Sequence, residues 1–317
     1  LPSITPAWPP GIGQGQFGLF DDSHATELQV SGSVSGGVAL FTDQAACPMR
    51  AFGRHRLHAT APADPTPGLN PMQRGNLIHA VMAAFWTQLR SAARLKQASE
   101  NEIEQILGAC VAEVVAEFRR RYHFVEVYWE LERERLFELA LEWLQEERAR
   151  GDFEVIACEE SRAASVGSYI INTRVDRVDR LANGDVVIID YKTGAVPRAS
   201  WSLPRPDQPQ LPLYAVTTGG DSVSGIAYAG LKKGQCKFVD EPQGIGRDTA
   251  LNEDALTQWT LTTQQWREAL IELADEIESG LAVTAPKRGS VTCRFCDLQC
   301  LCRIHEAPQR IARQADD

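Results

Sequence analysis

The sequence predicts an α/β protein with a central mixed β-sheet flanked by helices, a helical insertion ahead of the sheet and a cysteine cluster behind it. Three observations lead there. Apolar residues recur with helical spacing over residues 70–150. The period then shortens to two over residues 154–191, where Val, Ile and Tyr alternate with charged residues. A second long helical pattern over 253–279 precedes four cysteines within residues 293–302. With 317 residues and 44% hydrophobic composition the chain is long enough to bury one large core, and this order of elements fits one α/β domain with a helical cap.

Taken in order, residues 1–34 are rich in Pro and Gly and read as an extended lead-in; 35–305 form the domain and 306–317 a tail. Residues 40–57 read as a short helix pair around Cys47, followed by a Pro-rich loop over 60–70. Asn70-Pro71 opens a helix, with Asn as cap and Pro in the first turn. That helix is expected to run to about Leu95, with Leu77, Ile78, Val81, Phe85, Trp86 and Leu89 spaced for burial. Further helices are expected near 99–121 and 130–150. Glu154–Glu160, Tyr169–Leu181 and Asp185–Tyr191 read as strands. A helix over 207–218 stops at Gly219-Gly220, a strand follows at Ser224–Leu231, and the helix over 253–279 ends at Gly280.

Several function classes drop out. No run of 18 apolar residues is present, so no membrane helix is expected, and no basic n-region with an apolar stretch marks a secretory signal. A cytoplasmic setting is therefore expected. No Gly-Lys-Ser/Thr phosphate loop occurs, so no ATP motor is expected within this sequence. The net charge of −10 argues against a general nucleic-acid coat protein, although basic residues gather at Arg50–His58 and Arg119–Arg121. The first residue is Leu rather than Met, and the expectation is a piece excised from a longer polypeptide.

Chemistry concentrates in one hairpin. The last two strands of the central run meet at Leu181-Ala-Asn-Gly-Asp185. A two-residue turn at Asn183-Gly184 would set Asp176 opposite Tyr191 and turn Asp190 away from it. A three-residue loop, Ala182-Asn183-Gly184 with Gly left-handed, sets Asp176 opposite Asp190 and Arg174 opposite Lys192, all on one side. The second register is the one expected. Two such carboxylates repel each other unless a hard divalent cation relieves them, and a lysine two residues after the second lies on the same face. Asp-x-Lys by itself remains a common charge pattern, and Asp179 falls on the opposite face without a catalytic role.

Other residues could join. His79 follows Gly75 by one helical turn, and Gln210 and Tyr214 are likewise spaced to share a helix face. Glu159 precedes the hairpin on a candidate strand. Of the eight cysteines, Cys293, Cys296 and Cys302 form C-x2-C-x5-C, with Cys300 able to take the place of Cys302, and lack a fourth thiolate, which Cys47 can supply; thiol count alone does not separate zinc from an iron–sulfur cluster. Cys110, Cys158 and Cys236 read as plain buried thiols.

Together these motifs resemble the PD-(D/E)XK nuclease superfamily, in its RecB-like, AddB-type branch. The resemblance rests on Gly75-x-x-x-His79, Arg174-Val-Asp176-Arg-Val-Asp, Asp190-Tyr-Lys192-Thr-Gly and Gln210-Leu-Pro-Leu-Tyr214, in that order, over roughly residues 35–305. It implies a restriction-endonuclease-like sheet and hydrolysis of DNA phosphodiesters with Mg2+ or Mn2+, exonuclease more than endonuclease. It implies His79, Asp176 and Asp190 at the metal, Lys192 serving the attacking water, and Gln210, Tyr214 and Glu159 assisting. It further implies a 4Fe-4S cluster on Cys47, Cys293, Cys296 and Cys302, with Zn2+ as the alternative. The setting it implies is DNA repair beside a helicase-like module or subunit. A non-catalytic DNA-binding scaffold of the same fold, and a CRISPR-associated or RNA-processing nuclease, remain alternatives.

Overall fold

The protein was analysed as a computed structural model that describes residues 23–28, 32–33, 36–62, 65–195, 197–217, 223–245 and 253–306. The expected stop at Gly219-Gly220, nearly all of the tail and most of the lead-in lie outside the described residues.

A strand β1 (Gly32–Ser33) and three short helical pieces, α1 (Gly37–Ala46), α2 (Pro48–Ala51) and a π-helical turn (Phe52–Arg56), come first. Helix α3 (Pro71–Leu89) begins at a capping box: Asn70 accepts from the Gln73 N–H while the Gln73 side chain accepts from the Asn70 N–H. It ends six residues earlier than its apolar pattern suggests, because Arg90 turns left-handed (φ 61°), and a separate short helix α4 (Ala92–Gln97) follows. Helices α5 (Glu100–Arg121, capped by Ser99) and α6 (Glu126–Arg148) complete this run.

The sheet strands are β2 (Phe153–Val166), β3 (Tyr169–Leu181), β4 (Val186–Lys192), β5 (Val223–Gly230) and β6 (Lys237–Glu241), with α7 (Gln210–Thr217) between β4 and β5 and α8 (Glu253–Glu278) after β6. Strand β2 runs six residues beyond its expected end, and β6 is an addition to the expected set. Strand β4 is hydrophobic on both faces because it is central, paired antiparallel with β3 and parallel with β5. The sheet is mixed, as expected. Strand β3 has β2 along one edge; its other edge is shared, with β4 on its C-terminal part and β1 at Tyr169–Ile170.

Two cores sandwich this sheet. On one face α3, α5 and α6 bury Leu77, Phe85, Trp86, Leu107, Trp129 and Trp143 against Val187, Ile189 and Ala227. On the other, α1, α7 and α8 bury Phe41, Leu211, Trp266 and Leu270 against Val178, Ile188 and Ile226. The helical run before the sheet is thus one full covering layer. Residues 280–302 return toward the start of the domain, where Ala25 N–H donates to Gly280 and Met49 N–H to Val283. Helices α9 (Ser290–Cys293) and α10 (Gln299–Cys302) carry the cysteine cluster.

Candidate active site

The hairpin that carries the carboxylates is closed by a three-residue loop. Leu181 N–H donates to Asp185 O at 2.8 Å, Gly184 N–H returns to Leu181 O at 2.9 Å, and Gly184 has φ 89°. Glycine alone occupies that region without strain. The resulting ladder runs from Arg180↔Val186 to Arg177↔Ile189. The next residues along, Asp176 and Asp190, lie where this ladder ends, and the expected pairing of Arg174 with Lys192 is not part of it: Lys192 pairs with Gly230 on β5 and Arg174 contacts Glu159 on β2. The two-residue alternative is not the one formed.

Beyond Arg177↔Ile189 the strands part. The next β4 donor, Tyr191 N–H, goes to the Asp176 carboxylate at 2.9 Å rather than to β3 backbone. A side chain thereby replaces a ladder bond and fixes Asp176 in place. Opposite it on β2, Glu159 takes a left-handed conformation (φ 50°), uncommon for a residue with a Cβ. This kink lies where the β2–β3 pairing is interrupted, between Cys158↔Arg177 and Glu160↔Val175. Strained backbone of this kind clusters at functional sites.

These features bring His79, Glu159 and Asp176 together, with one potential ligand atom from each inside a mutual distance of 4.8 Å. Among the described residues no other His, Cys, Asp and Glu group is as compact. His79 Nδ1 lies 3.2 Å from Asp176 Oδ2. Burial opposes a charge on the imidazole, but the Asp176 contact and the charges of Asp190 and Glu159 prevail and raise its pKa. Glu159 is also raised, by burial first and then by Asp176, against Arg174 and His79.

Asp190 stands beside this group rather than in it, which differs from the expected trio of His79, Asp176 and Asp190. Its Oδ2 lies 2.7 Å from the Lys192 ammonium, a charge-assisted contact on the buried carboxylate. Asp190 is 2% exposed. Burial, then the Asp176 charge, pushes its pKa up to about 6, with Lys192 pulling the other way. Tyr214 lies near the same carboxylates and Gln210 reaches it: Gln210 Nε2 donates to Tyr214 Oη at 3.4 Å, and Tyr214 Oη donates to Arg174 O. Asp176 and Asp190 lie near enough to help raise the Tyr214 pKa, although burial is the main cause. Gly75 also borders the site, since a Cβ there would meet only Thr193 Oγ1 at 3.7 Å.

Behind the site is a buried cluster that the sequence reading missed. Arg177 contacts Glu147 and Asp179, each at 2.6 Å; Arg150 reaches the same two carboxylates, each at 2.8 Å. Arg177 also donates to Tyr191 Oη at 3.2 Å and stacks over Trp86 at 4.1 Å. Asp179 therefore points away from the site, as expected, and joins α6 to β3 and β4. The i, i+3 spacing of Glu147 and Arg150 and the i, i+2 spacing of Arg177 and Asp179 were visible, but nothing in the sequence paired them.

Cys47, Cys293, Cys296 and Cys302 line one small cavity of about 20 Å³, walled by Met49, Pro286 and Leu298. Cys300 is exposed and outside that lining. Burial raises the Cys47 and Cys293 thiols, and the other thiols of the set add to this. Cys110 is buried as expected, whereas Cys158 and Cys236 are half-buried.

Among the described residues no helix is long and apolar enough to cross a membrane. Residues 41–303 match the family model of the PD-(D/E)XK nuclease superfamily. No curated protein matches. Among solved structures, one titled "Crystal structure of SSO0001" is similar at 14% identity, with 83% of this chain and 93% of that chain covered and a TM-score of 0.30.

Proposed function

The chain belongs to the PD-(D/E)XK nuclease superfamily, and from that premise we propose that it is a Mg2+- or Mn2+-dependent deoxyribonuclease of the RecB-like, AddB-type branch, acting as an exonuclease on single-stranded DNA or DNA ends. The observation that carries this reading is the hairpin register, which brings Asp176 and Asp190 into one site with Lys192 on the second carboxylate. The donors fit a hard cation: an imidazole and the carboxylates of Glu159, Asp176 and Asp190. His79, Glu159, Asp176 and Asp190 would hold the metal. When bound, it supplies charge for the developing phosphorane oxygens and a lowered pKa for water. Lys192 orients that water and balances the carboxylates. Gln210 and Tyr214 brace the site through Arg174 O.

The cysteine cavity supports a 4Fe-4S staple. Cys47, Cys293, Cys296 and Cys302 bring four soft thiolates to one place from the two ends of the domain, the ligand number such a cluster takes, with zinc as the alternative. Protein purified without oxygen is expected to absorb at about 400 nm and to lose that band in Cys296→Ser. Stoichiometric zinc without the band would overturn the assignment. The working context we infer is DNA repair or recombination in the cytoplasm, beside a helicase-like module or subunit.

The nuclease reading is tested by digesting end-labelled single- and double-stranded DNA and RNA across a metal screen, with wild type and Lys192→Ala. Metal-dependent cleavage by wild type and its loss in the variant are expected. Equal cleavage by both would refute the site, and binding without cleavage under every metal would favour a non-catalytic scaffold.

A further inference from the structure

We propose that the outer face of the β2–β3 arm is the track for the substrate strand, and that Arg174 grips the phosphate next to the one being cleaved. This rests on the nuclease reading above and adds a binding residue to it.

The arm carries a shallow groove of about 480 Å³, lined by Ser161, Arg162, Ala163, Asn172, Thr173 and Arg174. The groove starts beside the carboxylates, because Arg174 Nε lies 2.6 Å from Glu159 Oε2 and donates to Glu159 O at 3.2 Å. Both contacts use Nε, and the Arg174 side chain is 64% exposed. The guanidinium is thus anchored at its inner edge, with its outer edge open to solvent. A planar fork held this way matches two phosphate oxygens, which a flexible lysine does less well.

The residues along the track fit a passing backbone. Ser161 pairs with Arg174 and Ala163 with Asn172, so one face presents small or neutral side chains behind a single arginine. No carboxylate lines the groove, although the whole chain carries a net charge of −10. Contacts of this kind fix position and register on a strand without reading its sequence. The expected ligand is a single-stranded DNA backbone, held without sequence preference.

The test measures binding of fluorescein-labelled single-stranded DNA by anisotropy, with Ca2+ in place of Mg2+, over a salt series. One phosphate contact changes the slope of log affinity against log salt by about 0.7 for a single strand. Arg174→Gln is expected to lose about that much slope and to raise KM several-fold. Asn172→Arg, which adds a charge further along the track, is expected to steepen the slope by a similar amount. Arg120→Gln, on the exposed face of α5, should leave it unchanged. Unchanged slopes in both Arg174→Gln and Asn172→Arg would overturn the track even if the protein cleaves DNA. Binding confined to an RNA oligonucleotide would overturn it as a DNA site. An Arg174-dependent slope in a protein that cleaves under no metal would uphold the track and sink the nuclease reading instead.

Discussion

Asp190→Asn is expected to abolish metal-dependent cleavage while making the protein, stripped of divalent metal, more stable. The loss of activity should be about 10³-fold or more, the scale of removing a charge that acts on the transition state. The gain in stability follows from the position of Asp190, 2% exposed, beside Asp176, with a pKa pushed up to about 6 from an ordinary value of 3.8. Because the folded pKa is the higher one, folding is favoured most below pH 3.8, and that advantage is lost as pH rises through about 6. At neutral pH the ionised carboxylate therefore costs up to about 3 kcal/mol, which an amide does not incur. In EDTA at pH 7 the variant should unfold at higher denaturant than wild type, and the gap should close near pH 4. Adding Mg2+ should stabilise wild type and leave the variant nearly unmoved, since only a state that binds ligand gains from it. A variant less stable than wild type in EDTA would show that Asp190 is held by favourable contacts and is not a carboxylate waiting for a cation.

The largest effect on stability is expected from Arg177→Met. Arg177 is fully buried between Glu147 and Asp179, and removing it leaves two interior carboxylates with Arg150 alone. Breaking one partner out of a buried pair costs about 3–5 kcal/mol. Denaturant unfolding measures this directly; a loss below about 1 kcal/mol would mean that water or a local shift takes over the role of the guanidinium. The pH dependence has its own sign. Burial opposes the Glu147 charge, but Arg177 and Arg150 outweigh it and hold its pKa below 4.5. Its contribution is present in full above pH 4.5 and fades as acid titrates the folded protein below that. Glu147→Gln should flatten the acid limb of the stability curve.

The hairpin was legible because one glycine decides between two registers that differ by a single residue. Gly184 at φ 89° selects the three-residue loop, and the loop then sets the register that leads into Asp176 and Asp190. Helix α3 was legible at its start, where Asn70, Pro71 and Gln73 each have a defined capping chemistry, and not at its end, where an arginine takes the left-handed turn usually left to Gly. Strand β2 was cut short for a similar reason: the left-handed Glu159 breaks the alternation on which a strand is recognised, although pairing with β3 continues to Val166. The same kink explains why Glu159, and not Asp190, stands in the compact group with His79 and Asp176. The cysteine set was readable from spacing, but its convergence on one cavity depends on residues 280–286 running back along α2, which no local pattern announces.

Glu159 has a consequence for how variants of this protein would spread under selection. A left-handed conformation costs a residue with a side chain about 1–2 kcal/mol that glycine does not bear. A library sorted for folding yield alone should therefore drift toward Gly, or Asn, at position 159, and a library sorted for turnover should hold Glu there against that pull. Stabilising consensus changes are usually neutral for function. At this position the two pressures oppose each other, so the composition of the survivors at position 159 would report which of them the library had faced.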